Sequence, residues 1–413
     1  MFFQKKDKKE KIIISDDDFL RESKTVDEPL TNPYYAMVSY RYKLAKYAAV
    51  IILVFFVLIS ISLNSENITY NNFVFLIKDM NTVFEAEGVL NVQKNVRYNP
   101  DKNQAFALYR NGLAIAGSSN IFIYNSAGKQ TYSGDLQYMS PHISSSEKYF
   151  LVYDQGAKSY SIYNSFAKVY EKKNDNVLVK AKICDQGVYA TVSQDQKYAS
   201  VLTLYNKDFG EIQKHYKEKY ITDFDISDNG ENVIIASAGM QNGEFYTDIS
   251  TTVVGSGEET TIATERGAFP MMVGYNDSGS VVCCDEITLF FDKEGGVLKR
   301  FDYGYEKLSF ASVGNKHFAL ILSNFDSEND HKLLVFDNEG NSLLETAITG
   351  RIDGFELYDE NVYILFDKEI KRFSADGEEH AVSISPGAKD MLVINKNTVL
   401  LCYANHTAYI EIN

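Results

Sequence analysis

Hydrophobic and polar positions follow three different patterns along this chain of 413 residues. Residues 1–46 are polar and rich in charge, residues 47–63 are uncharged and mostly apolar, and the remainder alternates between short apolar runs and turn residues. An uninterrupted apolar run of this length indicates a membrane-spanning helix, whereas alternation with a period of two indicates half-buried β-strands. The pattern therefore predicts a tail, one transmembrane helix and a large all-β domain.

The apolar run at residues 47–63 contains no charged residue. At 1.5 Å per residue it spans about 26 Å, slightly less than the usual hydrocarbon thickness of a bilayer. Arg41, Lys43 and Lys46 precede it, and the next basic residue is Lys78, which predicts a cytoplasmic N-terminus. A cleaved signal peptide is disfavoured because 46 residues precede the run, so we expect an uncleaved signal anchor in the cell membrane.

Charge is divided unevenly on the two sides of this helix. Residues 1–46 carry ten Lys/Arg against eight Asp/Glu and are expected to form a largely disordered cytoplasmic tail. The rest of the chain carries 31 Lys/Arg against 48 Asp/Glu, a net charge of −17. That acidic excess disfavours nucleic acid as a partner, because nucleic-acid binding depends on neutralising phosphates.

One short element recurs after the helix: a strand, then Asn, Asp or Ser, then Gly three or four positions later. The polar side chain accepts a backbone hydrogen bond and the glycine supplies a positive φ, which together close a hairpin. The anchor residues of these copies are Asn125, Asn164 (without the glycine), Asn206, Val254 (a degenerate copy with Gly257), Asp292, Asp337 and Ser374. They lie between 37 and 48 residues apart, a spacing typical of the blades of a β-propeller.

The end of the chain indicates how such a ring would close. Asn413 lies 39 residues after the anchor Ser374, where the third strand of a last blade should end. We expect Val89–Val92 to supply the missing outer strand, which would remove the open edges. The predicted domains are a stalk at residues 64–88 and an extracytoplasmic propeller at residues 89–413. Eight blades are favoured, and seven remain the alternative if the copy at Val254 is false.

The sequence predicts no catalytic, cofactor-binding or metal-binding residues. Its six histidines are scattered without the HExxH spacing, and no GxSxG, GxGxxG or Walker-type loop occurs. Asp223 and Asp225 would lie on one face of a strand, where they could bind a cation or act in acid–base chemistry. Solvation of a strand edge is the interpretation we favour for this pair.

The four cysteines are expected to be buried free thiols, because they are too few and too scattered for a disulfide scaffold. A bridge between Cys184 and Cys402 is left open. Cys283 and Cys284 are adjacent and would point to opposite faces of a strand.

The tail, the single anchor and the repeats of the form strand-Tyr/Phe-Asn/Asp-x-x-Gly resemble a bacterial membrane-protein family, the domain of unknown function numbered 5711. The repeats are also similar to quinoprotein and YVTN-type propellers. This resemblance covers most of residues 70–413 and implies a bacterial, Gram-positive surface setting, without a catalytic residue to carry over. Absence of Trp disfavours both WD-type repeats and the Trp-docking propellers that bind quinone cofactors.

We therefore expect a non-catalytic, membrane-tethered binding or scaffolding module without a cofactor. Its expected partners are membrane lipid, through residues 47–63, and an envelope protein or cell-wall component. Two alternatives remain: an envelope hydrolase or lyase with acids at the propeller channel, and a sensor that relays ligand binding to the cytoplasmic tail.

Overall fold

The computed structural model describes residues 33–63 and 95–412, apart from residues 111, 126, 147, 325, 326 and 328. The chain divides into two compact units, Met1–Asn81 and Thr82–Asn413. The predicted stalk and residues 1–32 of the predicted tail lie outside the described residues.

The first unit contains one described helix, α1, over Pro33–Leu63. Proline is well suited to a helix start, because its fixed φ is helical and the missing N–H would be unpaired there. Within α1, Tyr40–Ile59 is long and apolar enough to cross a membrane, and none of that span is buried in the protein. The helix begins well before the predicted start of the apolar run, since Arg41, Lys43 and Lys46 are also helical.

The second unit is a ring of eight antiparallel sheets, each made of strands that are consecutive in sequence. Blade 1 contains β1 (Ala105–Tyr109), β2 (Gly112–Ala116), β3 (Asn120–Tyr124) and β4 (Gln130–Asp135). Blade 2 contains β5 (Pro141–Ser145), β6 (Phe150–Asp154), β7 (Ser159–Tyr163) and β8 (Lys168–Lys173). Blade 3 contains β9 (Leu178–Ile183), β10 (Tyr189–Ser193), β11 (Ser200–Tyr205) and β12 (Glu211–Lys217). Blade 4 contains β13 (Tyr220–Ile226), β14 (Asn232–Gln241), β15 (Glu244–Val253) and β16 (Glu259–Arg266).

The other half of the ring repeats this arrangement. Blade 5 contains β17 (Pro270–Asn276), β18 (Gly279–Cys284), β19 (Ile287–Asp292) and β20 (Val297–Asp302). Blade 6 contains β21 (Glu306–Val313), β22 (His317–Asn324), β23 (Asp330–Asp337) and β24 (Ser342–Thr349). Blade 7 contains β25 (Ile352–Tyr358), β26 (Asn361–Phe366), β27 (Glu369–Ser374) and β28 (Glu379–Ser383). Blade 8 has three described strands, β29 (Asp390–Asn395), β30 (Thr398–Cys402) and β31 (Thr407–Glu411). The predicted all-β propeller with eight blades is confirmed.

Hydrophobic cores lie between neighbouring blades, so the middle strands are covered on both faces. Every residue of β18 is buried, whereas β20 at the outside of the same blade alternates between exposed and half-buried residues. Cys283 packs into the core shared with blade 6, and Cys284 packs into the core shared with blade 4. The predicted opposite orientation of these two cysteines is confirmed.

All four cysteines are free and buried, so Cys184 and Cys402 form no bridge. Burial raises the pKa of the Cys284 thiol to about 12, because an apolar environment disfavours the thiolate. These cysteines serve as small core residues.

The recurring turns join the third and outer strands, as predicted. Asn125 Oδ1 accepts the Lys129 N–H at 2.9 Å, and Gly128 has a φ of 71°. In blade 3 the left-handed residue is Phe209, with a φ of 66°, rather than the expected Gly210. The weak copy at Val254 is a real hairpin, because it connects β15 to β16. That hairpin is what decides between eight and seven blades.

The chain before β1 closes the ring against blade 8. Arg97 forms an antiparallel bridge with His406, and the Tyr98 N–H donates to the Asn405 carbonyl at 3.0 Å. The Tyr98 hydroxyl, also buried, contacts the carbonyls of Tyr403 and His406. Val89–Val92, the predicted closing strand, lies outside the described residues. The described closure contact comes from the segment just after it.

Replacing Tyr98 with Phe tests this closure. The substitution removes a buried hydroxyl that bonds blade 8 and leaves its carbonyl acceptors short of a donor, so the free energy of unfolding is expected to fall by about 1 kcal/mol. Urea denaturation of the purified full chain measures the change. Tyr305→Phe is the matched control, because Tyr305 is 94% exposed. Equal stability of Tyr98→Phe and the control would contradict the role of this contact.

Candidate functional site

The first strand of each blade lies beside the central channel, as in other propellers. At one position of these strands a side chain accepts the backbone N–H of the next blade. Ser144 Oγ accepts from Ile183 at 3.1 Å, and Ser312 Oγ accepts from Leu357 at 3.1 Å. The same position is occupied by Asp225 in blade 4 and by Glu356 in blade 7. Acidic side chains therefore lie beside the channel in these two blades.

Asp223 and Asp225 lie on β13 and bind the backbone of blade 5. Asp223 Oδ2 accepts the Val273 N–H at 3.0 Å, and Asp225 Oδ2 accepts the Tyr275 N–H at 2.9 Å. Asp223 is only 2% exposed. The expectation that this pair solvates a strand edge is therefore wrong, because both carboxylates join two blades at the channel.

Two lysines of blade 3 neutralise these carboxylates from the other side. Lys180 Nζ lies 2.6 Å from Asp223 Oδ1, and Lys182 Nζ lies 3.3 Å from Asp225 Oδ1. Burial acts to lower the pKa of Lys182, but the carboxylates of Asp225 and Asp223 outweigh it and raise that pKa. Asp223 and Asp225 are thus committed to holding blades 3, 4 and 5 together.

A second acidic pair lies on the inner strands of blades 7 and 8. Glu356 Oε2 accepts the Val393 N–H at 3.0 Å, and Asp390 Oδ1 accepts the Met391 N–H at 2.9 Å. Burial raises the pKa of Glu356 to about 7, assisted by the charge of Asp390, and burial raises the pKa of Asp390 to about 6. Perturbed carboxyls in a cleft are candidates for chemistry. Sequence reasoning missed both, because Phe355-Glu356-Leu357 and Asp390-Met391 read as ordinary strand residues.

Histidines do not assemble into a metal centre in the part of the chain that the structure describes, and no group of three or more His, Cys, Asp or Glu is placed to hold a metal ion there. His142 stacks on Tyr153, with the ring centroids 5.4 Å apart. His331 bonds Ser323 Oγ at 2.7 Å and the Gly350 carbonyl at 3.1 Å. These histidines serve local packing and hydrogen bonding.

One buried polar cluster joins the outer strands of blades 3 and 4. His215 Nδ1 lies 3.3 Å from Glu259 Oε2, and Lys217 also pairs with Glu259. The Gly255 N–H donates to Gln213 Oε1 at 3.0 Å. Burial opposes ionisation of Glu259, but hydrogen bonds from His215, Lys217 and Ser250 hold its pKa at about 2. Because its polar groups bond one another, the cluster serves to hold blade 3 against blade 4.

The most exposed apolar surface of blade 4 lies at the tip of the β14–β15 hairpin. Met240 and Phe245 are cross-strand partners that are 63% and 49% exposed. The Phe245 ring packs edge-on against Phe269, with centroids 6.0 Å apart. Tyr220 and Met271 nearby are 64% and 51% exposed. We refer to Tyr220, Met240, Phe245, Phe269 and Met271 as the hairpin patch.

The hairpin patch is exposed because blade 4 is longer than its neighbour. The strands β14 and β15 have ten residues each, whereas β18 and β19 of blade 5 have six each. On the same face Thr247 is buried, and its hydroxyl donates to the Ala268 carbonyl at 2.7 Å. Beyond that contact Phe269 still touches Phe245, but Met240 remains 63% exposed. The sequence contained a signal for this extension, because β14 and β15 lie in the longest interval between anchor residues, the 48 positions from Asn206 to Val254.

Glu356→Gln tests the state of the channel acids. Because the folded pKa of about 7 lies above the ordinary 4.5, the folded chain binds this proton more tightly than the unfolded chain. The free energy of unfolding is therefore expected to decrease as pH rises from about 4.5 to about 7, and Glu356→Gln should reduce this decrease. Urea denaturation across that pH range measures it. Glu294→Gln in an exposed turn is the control, and equal pH slopes for the two variants would contradict the assignment.

Comparisons with known structures identify the fold. BamB from Moraxella catarrhalis is 10% identical and superposes with a TM-score of 0.52, covering 77% of this chain and 98% of BamB. The Pan2 WD40 domain of Neurospora crassa is 8% identical with a TM-score of 0.48, covering 77% of this chain and 94% of that domain. At 10% identity the similarity to BamB shows the fold alone.

Sequence comparison with curated proteins gives no match. A family model does match, over residues 86–412, and it is the one described as a family of unknown function, DUF5711. The match covers nearly the whole propeller, so the predicted resemblance is confirmed. The chain belongs to the DUF5711 family.

Proposed function

We propose that the chain is a membrane-tethered, extracytoplasmic β-propeller that acts as a non-catalytic binding or scaffolding module at the cell envelope. The helix α1 would anchor it, with the N-terminus in the cytoplasm as the flanking basic residues predict. Its partner would be an envelope protein or a cell-wall component.

The observation that carries this proposal is the exposed hairpin patch. Large exposed apolar groups rimmed by polar residues mark interaction sites on soluble domains. Tyr, Phe and Met are enriched in protein interfaces, and Met adapts easily to a partner surface. The patch lies on a rigid sheet, so it can bind without first becoming ordered.

The acidic pair Asp223 and Asp225 has a structural role and is poorly suited to binding a ligand. Asp223 and Asp225 are neutralised by lysines and bound to the backbone of blade 5. A carboxylate used in this way is poorly placed to exchange protons with a substrate.

A second function is favoured by Glu356 and Asp390. Two neighbouring carboxyls with raised pKa values suit acid–base work in a channel, as an envelope hydrolase or lyase would need. Both already bind backbone N–H groups. The thiol of Cys402, the cross-strand partner of Asp390, is buried and its pKa is raised, so the nucleophilic thiolate is disfavoured there. We therefore rank this function second.

Cysteine labelling tests the tether and its orientation. Since all four native cysteines are buried, the unmodified chain is expected to react little with a membrane-impermeant maleimide. Lys293→Cys, in an exposed turn of the propeller, should label in intact cells, whereas Ser15→Cys should label only after lysis. Labelling of Ser15→Cys in intact cells, with Lys293→Cys protected, would reverse the proposed orientation.

Crosslinking in intact cells separates the binding function from the channel enzyme. The wild-type chain and the double variant Glu356→Gln/Asp390→Asn are expected to recover the same envelope partner with equal yield, because the substitutions keep the hydrogen-bond acceptors and lie in the channel. Mass spectrometry after affinity purification compares the two. Loss of the partner in the double variant would favour the channel as the functional site.

A further inference from the structure

The inner edge of β14 is open where the hairpin extends past blade 4's first strand. Pairing between β13 and β14 ends at Tyr220 with Ala238. Beyond it, Gly239, Met240 and Gln241 pair only with β15. Three residues of β14 thus present one unpaired strand edge to solvent, which is a template for another strand.

The backbone groups on that edge can be assigned from strand geometry. Thr222 Oγ1 of β13 donates to the Ala236 carbonyl at 3.3 Å, so the polar groups of Ala236 point toward β13. Every second residue of a strand directs its N–H and C=O to the same neighbour. Ala238 and Met240 therefore share this direction. The Met240 N–H and C=O face the open edge.

Side chains beside this edge are apolar and lie on one face. Met240 shares a face with its cross-strand partner Phe245 and with Tyr220, whose partner Ala238 lies two residues earlier on the same strand. Phe245 in turn touches Phe269. A strand added at Met240 would place alternate side chains against this row.

We propose that the hairpin patch binds an extended segment of a protein partner, which pairs with the Met240 edge of β14 and places alternate apolar side chains on Met240, Phe245 and Tyr220. The proposal rests on the proposed binding function and names its partner chemistry. Backbone pairing supplies affinity in this mode, and the side-chain row supplies specificity.

Two other occupants fit less well. The hairpin from Gly239 to Tyr246 contains no Lys or Arg and carries Glu244, and Lys219, which lies over the Tyr246 ring, is paired with Asp248. An anionic membrane surface therefore gains little attraction at the hairpin tip. A second copy of the chain could offer only the same three-residue edge. An extended segment of another protein can pair with the Met240 backbone and place its side chains on Phe245 and Tyr220, which share that face.

The test measures binding of a dye-labelled peptide of alternating valine and threonine, flanked by lysines, to the full chain in nanodiscs by fluorescence anisotropy. Saturable binding is expected. Met240→Ser/Phe245→Ser should weaken it by about tenfold or more, the size of effect typical of central interface residues. Val253→Ser is the matched control, because Val253 is an exposed residue at the other end of β15. The melting midpoint of each variant confirms that the exposed substitutions leave the fold intact.

Two N-methylated versions of the peptide decide whether a strand forms. Methylation of alternate amides blocks one edge of an extended peptide, so one version should lose binding and the other should keep it. Equal binding of both versions, an unchanged affinity of the double variant, or absence of saturable binding would overturn the proposal.

Light scattering and vesicle sedimentation test the other occupants. The proposal expects a monomeric chain and no patch-dependent binding to vesicles that contain phosphatidylglycerol. A dimer lost in Met240→Ser/Phe245→Ser, or vesicle binding lost in it, would assign the patch to a second copy or to the membrane. If the peptide fails while crosslinking in cells still recovers an envelope partner, the binding function stands and the strand-pairing proposal falls.

Discussion

Packing of each blade against both of its neighbours is the constraint on which the propeller depends. A sheet whose middle strands are apolar on both faces cannot be stable alone, because each face needs a cover. In this chain seven of the eight interfaces between blades join blades that are neighbours in sequence, and at the eighth the last blade must meet the first. That meeting occurs where Val96–Tyr98 joins Asn405–Thr407. The contact links residues some three hundred positions apart, so the ring is stable only when the whole unit has folded.

Polar contacts add to the apolar packing between blades at two places, beside the central channel and at the outer strands. Beside the channel, Asp223 and Asp225 join three blades through lysines and backbone N–H groups. At the outside, Glu259 joins blades 3 and 4 through His215 and Lys217. Buried carboxylates of this kind are satisfied by hydrogen bonds and opposite charge, which limits their use in catalysis.

The sequence was sufficient for the architecture because propellers repeat. Asn125, Asp292, Asp337 and Ser374 mark equivalent turns, and their spacing counts the blades without any knowledge of distant contacts. Contacts of side chains between blades could not be predicted in this way, because the partners lie far apart in the sequence. From the sequence Asp223 appeared to be a surface residue, because its partners are distant along the chain. The lysines that bind it lie about forty positions earlier, and the backbone N–H that donates a hydrogen bond to it lies fifty positions later. The hairpin patch was missed for a related reason, since its exposure depends on the shorter strands of blade 5.

Binding through the blade 4 hairpin is the central claim, and amide hydrogen exchange in native membranes tests it most directly. Exchange at Gly239–Tyr246 in membranes isolated from the producing cells is compared with exchange in the purified chain. Slower exchange there, with no change at the opposite turn from Val253 to Glu259, is the expected result, because a bound strand would occupy the Met240 N–H. Equal exchange at Gly239–Tyr246 in both preparations, with protection elsewhere on the propeller, would contradict the claim.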